Sequence, residues 1–274
     1  MSMIGRPVNY YGSKDKMCPK IHGLIPEGMS TWVDVFCGSA IVTLRKYRHP
    51  REVINDLNDD VINLFDVMRD GQADELYSAI ELTPFSQAEL VRTYDLEPTS
   101  DPVEKARRFL VCSWFGRGGD NHKTGLRWSK GSTVAPEIAW ARLPGRLTAV
   151  AERLRGICIR KESALKIVGD YDAENCILFV DPPYPGPVGR RYKHSMTPEQ
   201  HEELAKRLLE CKARVILTMN PETIYGEVLR DWCRHSSQVV TNGGTKKAEV
   251  IYTNFEQDGL FRTVPSDNGS NSDG

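Results

Sequence analysis

The chain has 274 residues, 36 Lys+Arg against 37 Asp+Glu for a formal charge of -1, and 40% hydrophobic residues. That is an ordinary globular composition, enough for one large core or a core with a smaller insertion, and it needs no stapling. No run nears the roughly 18 consecutive apolar residues of a spanning helix, so membrane insertion is excluded as an expectation.

The opening MSMIGRPVNYYGSK has no apolar export signal. The seven cysteines are odd in number and scattered, with no C-x-x-C pair. Both features point to a reducing cytoplasm and away from a disulfide framework or a zinc knuckle.

Residues 31–37 form a mostly apolar run rich in β-formers that stops at Gly38, and residues 52–57 form a second. Both read as buried parallel strands. Helical spacing follows each one, at Ile41, Leu44 and Tyr47, then at Val61, Leu64, Phe65 and Met68. Consecutive β-α units predict an α/β sheet.

Residues 83–150 interrupt the alternation with Pro-, Gly- and charge-rich sequence, including a helical stretch at 103–112 and a Gly-rich loop at 116–133. They read as an inserted region. Charge divides here: residues 50–101 hold 3 Lys/Arg against 13 Asp/Glu, net -10, and residues 105–166 hold 14 against 4, net +10. Such blocks are commonly solvated helix faces. In this one, however, the basic residues are interleaved with Trp114, Phe115 and Trp128, a mixture suited to phosphate contact and base stacking.

The alternation resumes with a strand at 176–180, a helix at about 197–211, a strand at 213–219 and a short helix near 222–231. Two last strands, 238–241 and 248–255, are joined by a turn-forming Asn-Gly-Gly-Thr and predict a hairpin closing an otherwise parallel sheet. Residues 264–274 lack apolar content and read as a disordered tail.

The sharpest motif is Asp181-Pro182-Pro183-Tyr184, directly after the strand at 176–180. In open α/β sheets ligands bind outside the carboxyl ends of the strands. Two prolines fix φ and remove two donors, so a carboxylate and a rigid carbonyl stand side by side next to an aromatic ring. That arrangement suits an amino group on a flat ring, which would give a hydrogen bond to each acceptor. The plainer reading is a Pro-rich turn with an exposed aromatic.

Asp34-Val-Phe36-Cys-Gly38-Ser39-Ala40 ends the first strand with a tight turn that lets backbone approach a ligand, or is simply a turn. It is neither the dinucleotide nor the ATP glycine fingerprint. Asn55-Asp56-Leu57-Asn58 ends the second strand, with Asp56 suited to ribose hydroxyls and Asn58 to capping the next helix. The six histidines form no close-spaced metal motif, and no P-C-x-x-C of a zinc deaminase is present.

Taken together and in order, Tyr11-Gly-Ser-Lys14, Phe36-Cys-Gly-Ser-Ala40, Asn55-Asp-Leu-Asn58, Asp181-Pro-Pro-Tyr184 and Glu249-Val-Ile-Tyr-Thr-Asn254 resemble the DNA adenine methylases of bacteria and phages, the D12 class of N6-adenine-specific enzymes. The resemblance runs from about residue 7 to 256. It implies a Rossmann-like S-adenosylmethionine-dependent methyltransferase sheet, mostly parallel with an antiparallel last strand. Residues 1–82 and 151–263 would form the catalytic domain, 83–150 the target-recognition insertion and 264–274 the tail.

By matching positions the resemblance places Tyr11, Lys14, Asp34, Phe36, Gly38, Ser39, Asp56, Ser163 and Asp181 around the cofactor, and Asp181, Pro182, Pro183 and Tyr184 around the target adenine. It places Arg117, Lys123, Arg127 and Lys130 on double-stranded DNA. Arg190, Arg191 and Lys193, just after the catalytic motif, are read from their placement as phosphate contacts or as solvated charge. No metal is implied, and a cognate restriction endonuclease is the one protein partner it suggests.

The chain departs from the family in two places. Asp34-Val35 replaces the usual Glu-Pro, and Ser163 stands where relatives carry an Asp, with Glu162 beside it. Methylation of cytosine N4 or RNA, and a catalytically silent DNA-binding module on the same scaffold, remain alternatives.

Overall fold

The computed structural model describes residues 4–117, 123–128, 134–186, 192–220, 223–240 and 246–256. Seven strands are present: β1 (Thr31–Asp34), β2 (Arg51–Asn55), β3 (Ile157–Arg160), β4 (Cys176–Val180), β5 (Arg214–Met219), β6 (Cys233–Val240) and β7 (Lys246–Thr253). They form one sheet in the order β3-β2-β1-β4-β5-β7-β6. The first five are parallel to their neighbours, whereas β7 runs antiparallel to both β5 and β6. This is the mixed, Rossmann-like α/β sheet with a terminal hairpin that the alternation predicts.

The strands are apolar because both faces of the sheet are covered. Val33, Leu178 and Leu217 pack with Ile167, Leu204 and Leu208, from the helices Ala164–Asp170 and Pro198–Leu209. Their neighbours Trp32, Ile177, Phe179 and Ile216 pack in a second cluster with Ile21 and Ile41, from the helices Cys18–Gly23 and Ile41–Arg45. Alternate residues of one strand thus enter different cores, as the two-residue period of a strand requires.

Chain order reverses beside β1, which pairs with β2 on one side and β4 on the other. That switch point opens a crevice at the carboxyl ends of both strands. It is where the turn after β1 and the Asp-Pro-Pro-Tyr after β4 converge.

β3 is the strand that alternation misses. It has four residues, lies at the sheet edge, and only Ile157 in it is buried. Among the described residues the passage from β2 to β3 holds six helices, including Asp59–Val67, Pro102–Phe115 and Leu143–Leu154. Their Leu64, Phe65, Leu110, Phe115, Leu147 and Leu154 share one apolar cluster with Ile54 of β2 and Ile157 of β3. The described part of the 83–150 region is therefore packed against the sheet. Among the described residues no helix is long and apolar enough to cross a membrane.

Candidate active site

Beside the carboxyl ends of β1, β2 and β4 lies a cleft of about 920 Å³, counting its open mouth. Its walls include Tyr11, Lys14, Asp34, Phe36, Gly38, Ser39, Asp56, Asp181 and Pro183, so most of the expected cofactor and catalytic positions meet in one place. Asp34 and Asp181, 147 positions apart in sequence, become neighbours because β1 and β4 are adjacent strands.

The turn after β1 is shaped by backbone that few residues tolerate. Gly38 has φ +47°, and a Cβ there would lie 2.9 Å from the Tyr10 ring. Ala40 follows at φ 53°, a left-handed value that costs a non-glycine residue. The Gly38 N–H donates to Asp56 Oδ2 (2.8 Å) and the Asn58 N–H to Asp56 Oδ1 (2.9 Å). Each oxygen of Asp56 keeps a lone pair for a second donor. Asn58 also caps the helix Asp59–Val67 by accepting from the Asp60 N–H (3.0 Å). Asn55 joins the strand ends, donating to Val35 O and Glu162 O (both 3.0 Å) and accepting from the Glu162 N–H (2.8 Å).

Asp34 is buried at the end of β1, its Oδ2 accepting from Thr43 Oγ1 (2.7 Å), while its buried Oδ1 has no hydrogen-bond partner. Burial, opposed by the Thr43 hydrogen bond and reinforced by the charges of Asp181 and Asp56, pushes its pKa up to about 8. An unpartnered acceptor on the wall of a cleft is an invitation to a cationic donor.

At the other end, Lys14 Nζ lies 2.8 Å from Asp181 Oδ1 and 3.1 Å from Glu249 Oε1, and donates to Gly12 O (3.0 Å). It also sits 5.1 Å from the centroid of the Tyr184 ring, and the Tyr184 hydroxyl donates to Glu249. Burial opposes the Lys14 charge, but Asp181, Tyr184 and Glu249 outweigh it and hold the ammonium protonated, above the ordinary lysine pKa. Burial raises the Asp181 pKa, against the pull of Lys14.

Thr218 Oγ1 donates to the same Asp181 Oδ1 (2.7 Å). Both described partners of Asp181 are thus on one oxygen, and Oδ2 is left over. No described donor takes the Pro182 carbonyl either.

The cleft has a composition that fits a cation. Asp34, Asp56, Glu162 and Asp181 line it against Lys14, the one lysine or arginine among its described walls. The unpartnered Asp34 oxygen and the spare lone pairs of Asp56 are the acceptors that this cleft offers a ligand.

Other expected residues stand apart from the cleft. Ser163 is exposed and its hydroxyl accepts from the Lys166 N–H (3.3 Å), capping the helix Ala164–Asp170, while its neighbours Glu162 and Ala164 line the cleft. A cap must turn its side chain toward the helix start, which is the reason it leaves the pocket wall. Lys123 pairs with Asp95 (2.9 Å) and Lys193 with Asp60 (2.8 Å) instead of standing free. Arg117 is exposed, its Nε donating to Leu126 O (3.3 Å), and Arg127 is half-buried beside it. Lys130, Arg190 and Arg191 lie outside the described residues.

Sequence reasoning assigned no role to Glu249, Thr218, Tyr192 or His194. Thr218 had a readable signal, being near the carboxyl end of the strand next to β4. Glu249 opens one of the motifs that carry the family resemblance, but its role was not legible because an antiparallel hairpin strand delivers it to Asp181 from 68 positions away. Tyr192 faces Gly12, where φ is +76° and a Cβ would lie 2.3 Å from the Tyr192 hydroxyl, and it packs edge-on against Tyr11 with centroids 5.5 Å apart. Tyr192 and His194 thus bring the segment after the catalytic motif over the cleft.

Comparison with known proteins agrees with this geometry. Residues 10–116 match the family of D12 class N6 adenine-specific DNA methyltransferases. The chain is 31% identical over 91 residues to Modification methylase LlaI of Lactococcus lactis subsp. lactis, covering 33% of this chain but 14% of that protein. It is 24% identical over 279 aligned positions to Type II methyltransferase M1.LlaDCHI of Lactococcus lactis subsp. cremoris, covering 89% of this chain and 93% of that one. A solved structure of the putative methyltransferase yhhF from Escherichia coli overlaps 94% of this chain and 99% of its own at 12% identity and a TM-score of 0.43. Residues 10–116 thus match the D12 class of N6 adenine-specific DNA methyltransferases, and the chain is similar along most of its length to a type II methyltransferase.

Proposed function

We propose that the chain transfers a methyl group from S-adenosylmethionine to N6 of an adenine turned out of double-stranded DNA. The observation that carries this reading is the asymmetry of Asp181. Lys14 and Thr218 hold Oδ1, so Oδ2 and the Pro182 carbonyl are left as paired acceptors at the cleft. Two acceptors for two N–H bonds fix the amino group with its lone pair facing the cofactor.

Bound S-adenosylmethionine supplies an activated methyl group on a sulfonium. The protein's part is alignment and charge. Asp56 would hold the ribose, and Asp34 and the surplus of carboxylates would hold the cation. Tyr184, braced through its hydroxyl by Glu249, would stack on the adenine. The methyl group would pass to nitrogen leaving its bonding pair on sulfur, and the nitrogen would then give up a proton, for which Asp181, made more basic by burial, would be the acceptor. The base must leave the helix because N6 cannot be reached by this cleft inside the stack.

Similarity to a modification methylase and a type II methyltransferase supports a place in a restriction-modification system. Its partner would be an endonuclease reading the same sequence.

The test is transfer from labelled S-adenosylmethionine to mixed-sequence duplex DNA, followed by nucleoside analysis. N6-methyladenine made by the parent and reduced at least about a hundredfold in Asp181→Ala supports the reading. N4-methylcytosine would reassign the base, and a parent that binds cofactor without labelling DNA would overturn the substrate.

A further inference from the structure

The basic block in the sequence spans the loop at 112–133, but the fold sets two arginines from elsewhere in the chain over one indole and brings a third near them. Arg146 Cζ lies 5.0 Å and Arg6 Cζ 5.9 Å from the Trp114 ring centroid. The ring itself is fixed, its Nε1 donating to Pro7 O (3.1 Å). Arg146 Nη1 donates to Arg6 O (3.4 Å), and its side chain fills the space beside Gly5, where a Cβ would lie 2.7 Å from Nε. Arg127 is set beside the same group by its N–H bond to Phe115 O (2.6 Å).

The cluster is short of negative charge. Asp15 is the carboxylate facing it, and Asp15 is already paired with Arg45, whose Nε ties down Ile4 O (2.7 Å). Among the described residues Arg6, Arg127 and Arg146 form no ion pair, although all three are half-buried. Burial lowers the proton affinity of each, and like charge adds to it, from Arg45 on Arg6 and from Arg6 on both Arg127 and Arg146. Partly desolvated cations without a counter-ion cost stability. Stacking on an indole recovers a little of that and fixes the planes of the guanidinium forks, which match a phosphate.

We infer that Arg6 and Arg146, seated on Trp114, and Arg127 near Arg6 form a cradle for one backbone phosphate of the DNA near the target base. The inference rests on the proposed function for the presence of DNA. Its position follows from the chain: five residues from Arg6 to Tyr11 on the cleft wall span at most about 17 Å, which is about five nucleotides of helix rise. A phosphate contact carries no sequence information, so the cradle sets register and leaves base reading to other residues.

The test compares Arg6→Gln, Arg127→Gln and the triple glutamine variant with the parent, measuring duplex affinity between 50 and 200 mM salt on methylatable and unrelated sequences. Loss of one shared phosphate predicts that the triple variant has a slope of log K against log salt shallower by about 0.9. Affinity falls by roughly tenfold or more for single variants, equally on both sequences. Arg127→Gln keeps the measurement clean, because its backbone rather than its side chain holds the loop, and melting temperature and cofactor affinity confirm the fold. A parent that methylates DNA while all variants keep its slope and affinity overturns the cradle and leaves the methyltransferase reading standing. Loss confined to one sequence also overturns it, since that marks base reading. A parent that does not bind DNA overturns both.

Discussion

Asp34 ends a fully buried strand with one oxygen held by Thr43 and the other by nothing. With its pKa pushed up to about 8, the carboxyl carries its proton in the folded chain at neutral pH, whereas the unfolded chain has released it above about 4. The folded state therefore holds more protons across that window, and the stability contributed by Asp34 is complete below about pH 4 and lost as pH rises toward 8. Asp34→Asn removes the titration while keeping an acceptor for Thr43. The melting temperature of the variant relative to the parent should rise from pH 5 to pH 8.5 without cofactor, while its affinity for S-adenosylmethionine falls at both. Calorimetry across pH checks this, and a constant difference in melting temperature would remove Asp34 from the pH dependence. The same residue shows how sequence can place a group without describing its state. Position at the end of β1 is legible from the apolar run, but a shifted proton affinity depends on which neighbours the fold seals around it.

At the scale of elements, Ser163 and Glu162 separate two duties that the motif comparison could not. Ser163 starts a helix and Glu162 presents its backbone to Asn55. Ser163→Ala should cost about 1 kcal/mol of stability, the usual loss of an N-cap, and leave cofactor affinity within about twofold of the parent. A denaturant melt and a titration with S-adenosylmethionine decide it, and a tenfold loss of affinity with unchanged stability would return Ser163 to the cofactor site. Boundaries were legible where several cues coincided. Thr197 and Gln200 form a reciprocal capping box at the start of the helix Pro198–Leu209, and the strand at 176–180 matches β4 because all five residues are buried. The first strand was read three residues too long. After Asp34 the chain still bonds its neighbours, Val35 N to Phe179 O and Cys37 N to Asn55 O, yet it has begun the turn that Gly38 completes. Apolar character continues through that turn because it lines a buried cleft, so composition could not mark the end of the strand.

Across the whole molecule, the sheet and the helical passage between β2 and β3 are locked by a buried ionic knot. Glu52 of β2 accepts two bonds from Arg153 of the helix Leu143–Leu154 (2.6 and 2.9 Å), one from the His49 N–H (3.1 Å) and one from Lys46. Burial lowers the Lys46 pKa to about 8, against the pull of Glu52. Glu52→Gln leaves two buried cations without their anion and should cost about 3–5 kcal/mol, read as a shift of the denaturation midpoint. A shift equivalent to less than about 1 kcal/mol would show the knot to be replaceable packing. No sequence pattern announces this contact, which joins positions 101 apart.

What the sequence by itself determined was local. The alternation of buried strands and helices, the turn residues, the caps and the Asp-Pro-Pro-Tyr element follow from steric and hydrogen-bonding preferences that act within a few residues. Those preferences sufficed for the sheet class, the turn after β1, Asp56 and the Asp-Pro-Pro-Tyr element, whereas Tyr11 and Lys14 came from the family resemblance. Tertiary structure decided what depends on charges meeting across distance. It gave Lys14 to both Asp181 and Glu249, committed Lys123 and Lys193 to carboxylates, and stacked Arg6 and Arg146 on one indole with Arg127 near Arg6. A charged side chain is soluble almost anywhere on a surface, so its sequence context does not fix its partner. The packing of the apolar cores does, by choosing which surfaces come to lie side by side.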